Sequence, residues 1–161
     1  MLEVLNLTKK RVCLRNLKKV ADGFLEKYKI KNAEISLVLI GDSRSRSLNK
    51  KYRNRDHITD VLSFSNKNFN STGDNFLGEI FINLAELSHL EKYQEMFLEL
   101  EGFKEFELIK LLSLSRSAQE RYLLNFVFVH GLLHLIGFND KKEVDRKKML
   151  RLGARFLKCY N

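Results

Sequence analysis

Two histidines in the C-terminal third of the chain have the spacing of a metal site. His130 and His134 lie in an apolar segment, and residues four apart occupy one face of an α-helix, one turn from each other. Both imidazoles can therefore point at one metal ion. Gly137 is placed to end such a helix and to turn the chain, which would bring Asp140 to the same ion as a third ligand. Two imidazoles and one carboxylate leave a fourth tetrahedral position open, as in catalytic zinc sites.

This ligand set favours Zn²⁺, with iron, manganese and nickel as alternatives. The competing interpretation is that the histidines are core residues, because isolated H-x-x-x-H patterns often arise by coincidence. The glycine and the carboxylate that follow favour the metal site. A zinc protease of the H-E-x-x-H type would need a glutamate after the first histidine as general base. The sequence has Gly131 there, which argues against that class of protease.

The composition limits the classes of protein to consider. The chain has 161 residues, 44% hydrophobic and 30% charged, which suits one domain over residues 1–161 with a buried core. Its net charge of +9 favours an acidic partner, with nucleic acid ahead of an anionic membrane surface. The chain also has no proline and is rich in Lys and Asn, so genome composition is a second source of the positive charge.

The cysteines and the apolar segments indicate a compartment. Cys13 and Cys159 stand near opposite ends of the sequence and form no disulfide framework, which is typical of a reducing, cytoplasmic environment. No signal peptide is evident at the N-terminus. The most apolar stretch, residues 122–138, is short for a membrane span. We therefore expect a cytoplasmic protein with no membrane association.

Hydrophobic periodicity predicts an α+β fold in a single domain. We expect a small mixed β-sheet of about four strands packed with about five helices, and the metal site at the end of a central helix. The polar segment 65–75 is expected to be a hairpin connection or a mobile flap. Strands are predicted at 3–7, 34–40, 59–64 and 76–82, and helices at 12–28, 43–52, 85–114 with a break near Gly102, 117–136 and 141–158.

Positive charge is concentrated in two blocks. Residues 44–55 contain no acid, and residues 141–158 are also strongly basic. If the fold brings both blocks to one face, they would form a phosphate-binding surface; charge runs are just as often solvated helix faces. The bases of the first block are Arg44, Arg46, Lys50, Lys51, Arg53 and Arg55.

Three further motifs precede the metal-site motif in the sequence. Residues 130–140 read HGLLHLIGFND, and they follow LNKKYR at 48–53, TDVLSF at 59–64 and LGEI at 77–80. In this order the motifs resemble H-G-x-L-H-L-x-G-Y-D-H, L-N-x-x-Y-R, T-D-V-L-S-F and L-G-D-I of the YbeY family of bacterial single-strand-specific endoribonucleases. Three positions depart from the family pattern. Asp140 stands in place of a histidine ligand, Ile58 in place of a proline, and Glu79 in place of an aspartate.

The resemblance implies a metal-dependent endoribonuclease that matures the 3′ end of small-subunit ribosomal RNA and takes part in ribosome quality control. Its implied partners are ribosomal RNA and the small ribosomal subunit. It implies one Zn²⁺ per chain, held by His130, His134 and Asp140. Arg53 matches an arginine that the family uses, and a guanidinium suits gripping a phosphate and stabilising transition-state charge. The remaining bases, Arg44, Arg46, Lys50, Lys51 and Arg55, are expected to contact RNA phosphates without sequence specificity.

Two other functions remain open at this stage. One is a metal-dependent hydrolase of peptides or small molecules, which a cleft without surrounding positive charge would favour. The other is a non-catalytic ribosome assembly factor whose metal is structural. The general base is unassigned, with Glu79 and His57 as candidates. The sequence does not indicate an oligomeric state.

Overall fold

A four-stranded mixed sheet organises the chain, and the computed structural model describes residues 1–69, 73–98 and 112–159. The strands lie in the order β1-β2-β4-β3; β1, β2 and β4 are parallel, and β3 pairs antiparallel with β4. The apolar run EISLVLI forms β2 inside the sheet, because a strand covered on both faces can be apolar throughout. The strands are β1 (Leu2–Asn6), β2 (Glu34–Ile40), β3 (Val61–Ser65) and β4 (Phe76–Asn83).

Five α-helices surround this sheet in the described part of the chain, and with the mixed sheet they confirm the predicted α+β architecture. They are α1 (Leu14–Lys27), α2 (Asp42–Arg53), α3 (Leu90–Leu98), α4 (Arg116–Leu135) and α5 (Glu143–Lys158), with a short 3₁₀ helix at Glu86–Ser88. The break predicted near Gly102 lies outside the described residues. None of the described helices is long and apolar enough to cross a membrane.

Helices α4 and α2 cover opposite faces of the sheet. Alternate residues of a strand point to opposite faces, and Ile80 of β4 lies against Gly131 of α4. On the other face, Asn83 of β4 donates a hydrogen bond to Asp42 of α2 at 2.7 Å. Helix α4 supplies much of the core, since every residue from Leu123 to Val129 is buried. Because β3 is an edge strand, groups from both faces can meet beside it.

Candidate metal centre

A glycine turn at the end of α4 brings a carboxylate back towards the helix. Gly137 has φ +95°, a left-handed conformation that favours glycine, as the sequence predicts. The Gly137 N–H donates to the His134 carbonyl at 3.0 Å, and the Phe138 N–H donates to the Leu133 carbonyl at 3.1 Å. The Phe138 ring packs edge-on against Tyr28, with centroids 6.4 Å apart. These contacts fix the path of the chain that leads to Asp140.

The three predicted ligand side chains converge at this turn. Asp140 Oδ2 lies 3.5 Å from His130 Nε2 and 3.5 Å from His134 Nε2, and all the donor atoms lie within 4.8 Å of one another. Two ligands of a tetrahedral zinc ion with bonds near 2.1 Å are separated by about 3.4 Å. The spacing therefore fits a single divalent ion, so these residues could hold one.

The protonation states of the cluster also suit a cation. His134 Nδ1 lies 3.0 Å from the Phe138 carbonyl; donation from Nδ1–H leaves the Nε2 lone pair facing Asp140. Burial, together with the neighbouring His130, lowers the pKa of His134. A hydrogen bond with His130 lowers the pKa of Asp140 to about 2. A neutral imidazole and an ionised carboxylate are the forms that bind metals.

Two further buried polar atoms at the centre have no hydrogen-bond partner among the described residues. They are His130 Nδ1 and Ser63 Oγ. Ser63 is next to α4, because a Cβ added at Gly131 would lie 3.2 Å from Ser63 Oγ. Buried polar atoms are nearly always paired, and exceptions mark functional sites or sites for water and ions. These atoms therefore add to the case for a bound ion or water.

The cluster opens into a cleft of about 270 Å³ with basic walls. Three basic side chains line it, Arg53, Lys92 and Arg146. Two acidic side chains, Asp60 and Asp140, line it as well. Lys92 Nζ lies 3.4 Å from a carboxylate oxygen of Asp60 and the same distance from one of Glu86. Arg53 and Arg146 form no ion pair with any residue in the described ranges. Neither guanidinium is therefore held in a salt bridge, although the charge of Arg146 also acts on Glu143 one turn earlier in α5.

Buried polar side chains connect α2, which ends at Arg53, to the segment before β3. Asn49, only 2% exposed, donates from Nδ2 to the His57 carbonyl at 2.8 Å. Ser45, one turn earlier, donates from Oγ to the Thr59 carbonyl at 2.6 Å and accepts from the Thr59 N–H at 3.1 Å. Sequence reasoning gave neither residue a role, although two small polar residues four apart on a basic helix signal a buried face.

The other bases of residues 44–55 lie outside the cleft lining. Arg46 Nε and Lys50 Nζ contact the Asp56 carboxylate at 2.7 and 2.9 Å. Lys51 Nζ lies 5.0 Å from the centre of the Tyr52 ring. Of the six bases, only Arg53 lines the cleft. The five that do not line it are Arg44, Arg46, Lys50, Lys51 and Arg55.

Two other candidates also lie outside the cleft lining. Glu79, a candidate general base, accepts a hydrogen bond from Ser36 Oγ at 3.0 Å. It lies on the face opposite Ile80, because neighbouring strand residues alternate, so it does not face the metal centre. The His57 ring lies 3.0 Å from the Ile58 carbonyl and is absent from the cleft lining. Neither residue is placed to act as general base at this centre.

Sequence reasoning did not single out Arg146, whereas Asp60 of the TDVLSF motif lines the cleft. Asp60 accepts a hydrogen bond from the Tyr93 hydroxyl at 2.9 Å, and burial together with this carboxylate raises the pKa of Tyr93. The phenol therefore stays protonated and remains a donor. Arg146 belongs to the second basic block. It lies four residues before Leu150, so the two share a face of the helix, and both line the cleft.

Comparisons with known proteins find relatives along most of the chain. The family model described as endoribonuclease YbeY matches residues 4–102 and 111–161. The chain is 30% identical to an endoribonuclease YbeY of Thermodesulfovibrio yellowstonii, covering 84% of this chain and 74% of that protein. It is 31% identical to an endoribonuclease YbeY of Heliobacterium modesticaldum, covering 88% and 80%. A solution structure from Thermotoga maritima has a similar fold, with a TM-score of 0.50 at 21% identity over 99% of this chain and 93% of that chain.

Proposed function

The chain belongs to the endoribonuclease YbeY family, and on that premise we propose that it cleaves single-stranded RNA in the cleft at the end of α4. One observation carries the proposal. Three donor groups that fit a single divalent ion lie in the same basic cleft as the unpaired Arg53 guanidinium. Phosphodiester cleavage needs both parts, because negative charge must be bound and then stabilised as the bond breaks.

In this proposal His130, His134 and Asp140 hold one divalent cation, and Zn²⁺ suits two imidazoles and one carboxylate. Such an ion, when bound, would supply Lewis acidity. Arg53 grips a phosphate through paired N–H donors, a geometry that Lys cannot provide. Arg146, on the α5 side of the cleft, holds a second phosphate of the same strand. The Phe138 carbonyl orients the His134 ring by accepting its Nδ1–H.

The biological context of the proposal comes from the family resemblance. We assign the chain to maturation of the 3′ end of small-subunit ribosomal RNA and to ribosome quality control in the cytoplasm. Its partners are then ribosomal RNA and the small ribosomal subunit. The net charge of +9 supports an RNA substrate. The five bases of residues 44–55 outside the cleft remain proposed contacts to the RNA backbone.

The alternative of a peptide hydrolase has less support. The cleft carries three basic side chains in its lining, which suit phosphates. A glutamate base of the H-E-x-x-H type also has no room at position 131. A Cβ there would lie 2.9 Å from Ile80 Cγ2 and 3.2 Å from Ser63 Oγ, so a side chain would run into the sheet.

The alternative of a structural metal has little support either. Structural zinc sites are closed by four protein ligands. Among the described residues the cluster offers three, and the Asp140 side chain is 39% exposed. The site therefore leaves room for a substrate group or water.

Metal analysis coupled to an RNA cleavage assay tests the proposal. The purified protein is assayed on a single-stranded oligonucleotide and on its duplex, before chelation, after chelation and after re-addition of Zn²⁺. We expect cleavage of the single strand to be lost with the metal and to return with it. His134→Ala should lower cleavage by more than about 100-fold, because loss of even an outer-sphere partner of a metal site commonly costs up to that factor.

His89→Ala is the matched control, since the His89 side chain is 68% exposed and lies outside the cleft lining. Asp140→His should retain metal, because it restores the ligand type of the family motif. Unchanged cleavage by metal-free protein, or by His134→Ala, would refute the proposal. Metal loss that lowers the melting temperature in a wild-type protein unable to cleave RNA would favour the structural-metal alternative.

A further inference from the structure

A second cavity, of about 260 Å³, lies beside the N-terminal half of α4. The start of α1, the region of the 3₁₀ helix and the first turns of α4 enclose it, and it shares no lining residue with the metal cleft. Arg121, on its rim, and His130 are nine residues apart on α4, a separation of about 14 Å along a helix. This cavity is therefore separate from the metal cleft.

The floor of the cavity is apolar except for one amide. Four buried leucines form it, at positions 17, 84, 87 and 124, together with Asn125. Asn125 is only 2% exposed, and its side chain makes no hydrogen bond within the described ranges. The fully buried polar atoms without a partner among the described residues do not include those of the Asn125 amide, so the amide is open to the cavity. An Asn side chain both donates and accepts, so its unused capacity suits a ligand with donors and acceptors side by side on a flat, otherwise apolar ring.

The rim of the cavity is basic. Lys10, Arg11 and Arg121 lie on it and are exposed. Lys10 Nζ donates to the Leu84 carbonyl at 3.2 Å, whereas Arg11 and Arg121 form no ion pair with described residues. The acidic residue in the lining, Glu120, lies 3.7 Å from Arg116. The rim therefore offers two unpaired guanidinium groups to an anion.

The start of α1 adds a third feature that attracts an anion. Cys13 occupies the N-cap position and makes no side-chain capping hydrogen bond. The Asn16 and Leu17 N–H groups point to the Cys13 carbonyl, at 3.2 and 3.5 Å. The N–H groups of Leu14 and Arg15 have no partner within the helix, and Cys13 and Asn16 on either side of them line the cavity. Such helix starts bind phosphates through free N–H groups and the helix dipole.

We propose that this cavity binds a nucleoside monophosphate. The base lies on the leucine floor with its polar edge against Asn125, and the phosphate lies at the rim between Arg11, Arg121 and the start of α1. A free mononucleotide and the 5′-terminal nucleotide of an RNA chain present the same groups, and the experiment separates these two sources. The proposal does not rest on the cleavage reaction, since it concerns a different cavity and is measured by binding.

The two cysteines provide an internally controlled measurement. Both thiols are exposed; Cys13 lies on the rim of the cavity, and Cys159 does not line it. Alkylation of each thiol is followed by mass spectrometry with and without millimolar AMP, GMP, CMP or UMP. We expect at least one mononucleotide to slow the alkylation of Cys13 several-fold and to leave Cys159 unchanged. Inorganic phosphate and the uncharged nucleosides should protect less, because each lacks half of the ligand.

Two variants then locate the bound nucleotide. Arg121→Gln and Asn125→Leu should each weaken protection about tenfold, the cost of a lost hydrogen bond to a charged or buried group. Arg155→Gln, an exposed arginine of α5 outside the lining, should leave protection unchanged. His134→Ala should also keep protection, which separates this cavity from the metal cleft. A shift of Cys13 protection to non-cleavable RNA that carries a 5′-phosphate, with weaker protection by free nucleotides, would assign the RNA terminus as the source.

Three results would overturn the proposal. In the first, no mononucleotide and no 5′-phosphorylated RNA protects Cys13. In the second, protection persists undiminished in both Arg121→Gln and Asn125→Leu, so the ligand binds elsewhere. In the third, inorganic phosphate protects as well as any nucleotide, so the leucine floor binds no base. A melting curve for Asn125→Leu checks that the variant folds, and Arg121→Gln, an exposed position, tests the proposal independently.

Discussion

The bases of α2 fall into two groups with different surroundings. Arg46 and Lys50 both contact the Asp56 carboxylate, at 2.7 and 2.9 Å, on the exposed surface. Arg53 is the last residue of the same 12-residue helix, but it lines the metal cleft and forms no ion pair in the described part of the chain. Asp56, just beyond the helix, therefore forms salt bridges with two of the α2 bases and none with Arg53.

This difference has an energetic consequence for an incoming phosphate. Exposed ion pairs are screened by solvent and contribute little to stability, so RNA can displace Asp56 from Arg46 and Lys50 with only a small gain in binding. Arg53 has no partner to exchange, and its cleft also holds half-buried groups, where charges interact more strongly than in water. The α2 bases should therefore contribute very unequally to cleavage.

Arg53→Gln tests the larger side of this comparison. We expect turnover of single-stranded RNA to fall about 100-fold, the cost of one lost transition-state donor, while the metal content stays unchanged because Arg53 is not among the ligand donors. Arg53→Lys should recover only part of the activity, because it keeps the charge and loses the planar fork. Arg155→Gln is the control. Near-wild-type turnover of Arg53→Gln would show that Arg53 does not stabilise the transition state and that the comparison between the α2 bases is wrong.

Gly131→Ala tests whether α4, which carries both histidines, packs too closely on the sheet to allow a side chain at position 131. A Cβ at Gly131 would lie 2.9 Å from Ile80 Cγ2, whereas at Gly153 of α5 it would meet Phe126 at an ordinary 3.5 Å. We expect Gly131→Ala to lower the free energy of unfolding by about 1–3 kcal/mol through overpacking. Gly153→Ala should be neutral or stabilise by up to about 1 kcal/mol through helix propensity. Equal melting temperatures for the two variants would contradict this interpretation.

Arg146→Gln separates substrate binding from catalysis within the cleft. Arg146 lies on α5 and shares the lining with Arg53. We expect KM for single-stranded RNA to rise about tenfold, the cost of a lost hydrogen bond to a charged group, with a smaller change in kcat than Arg53→Gln causes. A larger fall in kcat than in Arg53→Gln would reverse the assigned roles of the two arginines.

The sequence predicts the parts of the centre that depend on local geometry. His130 and His134 share a helix face whatever surrounds the helix, and a glycine stop limits where Asp140 can go. The ends of the strands and of four helices also follow from periodicity to within about two residues, but the helix predicted from residue 85 begins at Leu90, after a short 3₁₀ helix. The apolar run EISLVLI predicts β2 with the observed bounds, Glu34–Ile40.

The parts that the sequence does not predict depend on packing between distant segments. Arg146 enters the cleft only because of how α5 docks on α4. Glu79 is excluded as a base only once Ile80, its neighbour in β4, is known to face α4. The second cavity joins α1, the region after β4 and α4, which no local pattern relates. The candidate metal donors are predictable because they are neighbours in sequence, and the other groups that line the cleft are not.

Arg46→Gln tests the smaller side of the comparison and should change cleavage least. Hydrogen bonds from Arg46 and Lys50 lower the pKa of Asp56, and the Phe76 N–H and Asn66 lower the pKa of Asp74. In the variant, carboxyl NMR titration should show the pKa of Asp56 rising towards its ordinary value while that of Asp74 stays unchanged. Since a lowered pKa favours the folded state only above the unfolded-state value, any contribution of the Asp56 contacts is lost as the pH falls through the folded pKa.

The affinity of Arg46→Gln for RNA decides what these paired bases do. We expect it to fall by no more than about fivefold, because exposed ion pairs are screened by solvent and contribute little. RNA that does recruit Arg46 must release Asp56, so adding RNA to the wild type would then raise the pKa of Asp56. A constant pKa of Asp56 with and without RNA, combined with an unchanged affinity of the variant, would show that Arg46 ties α2 to the following loop and that Arg53 meets the substrate.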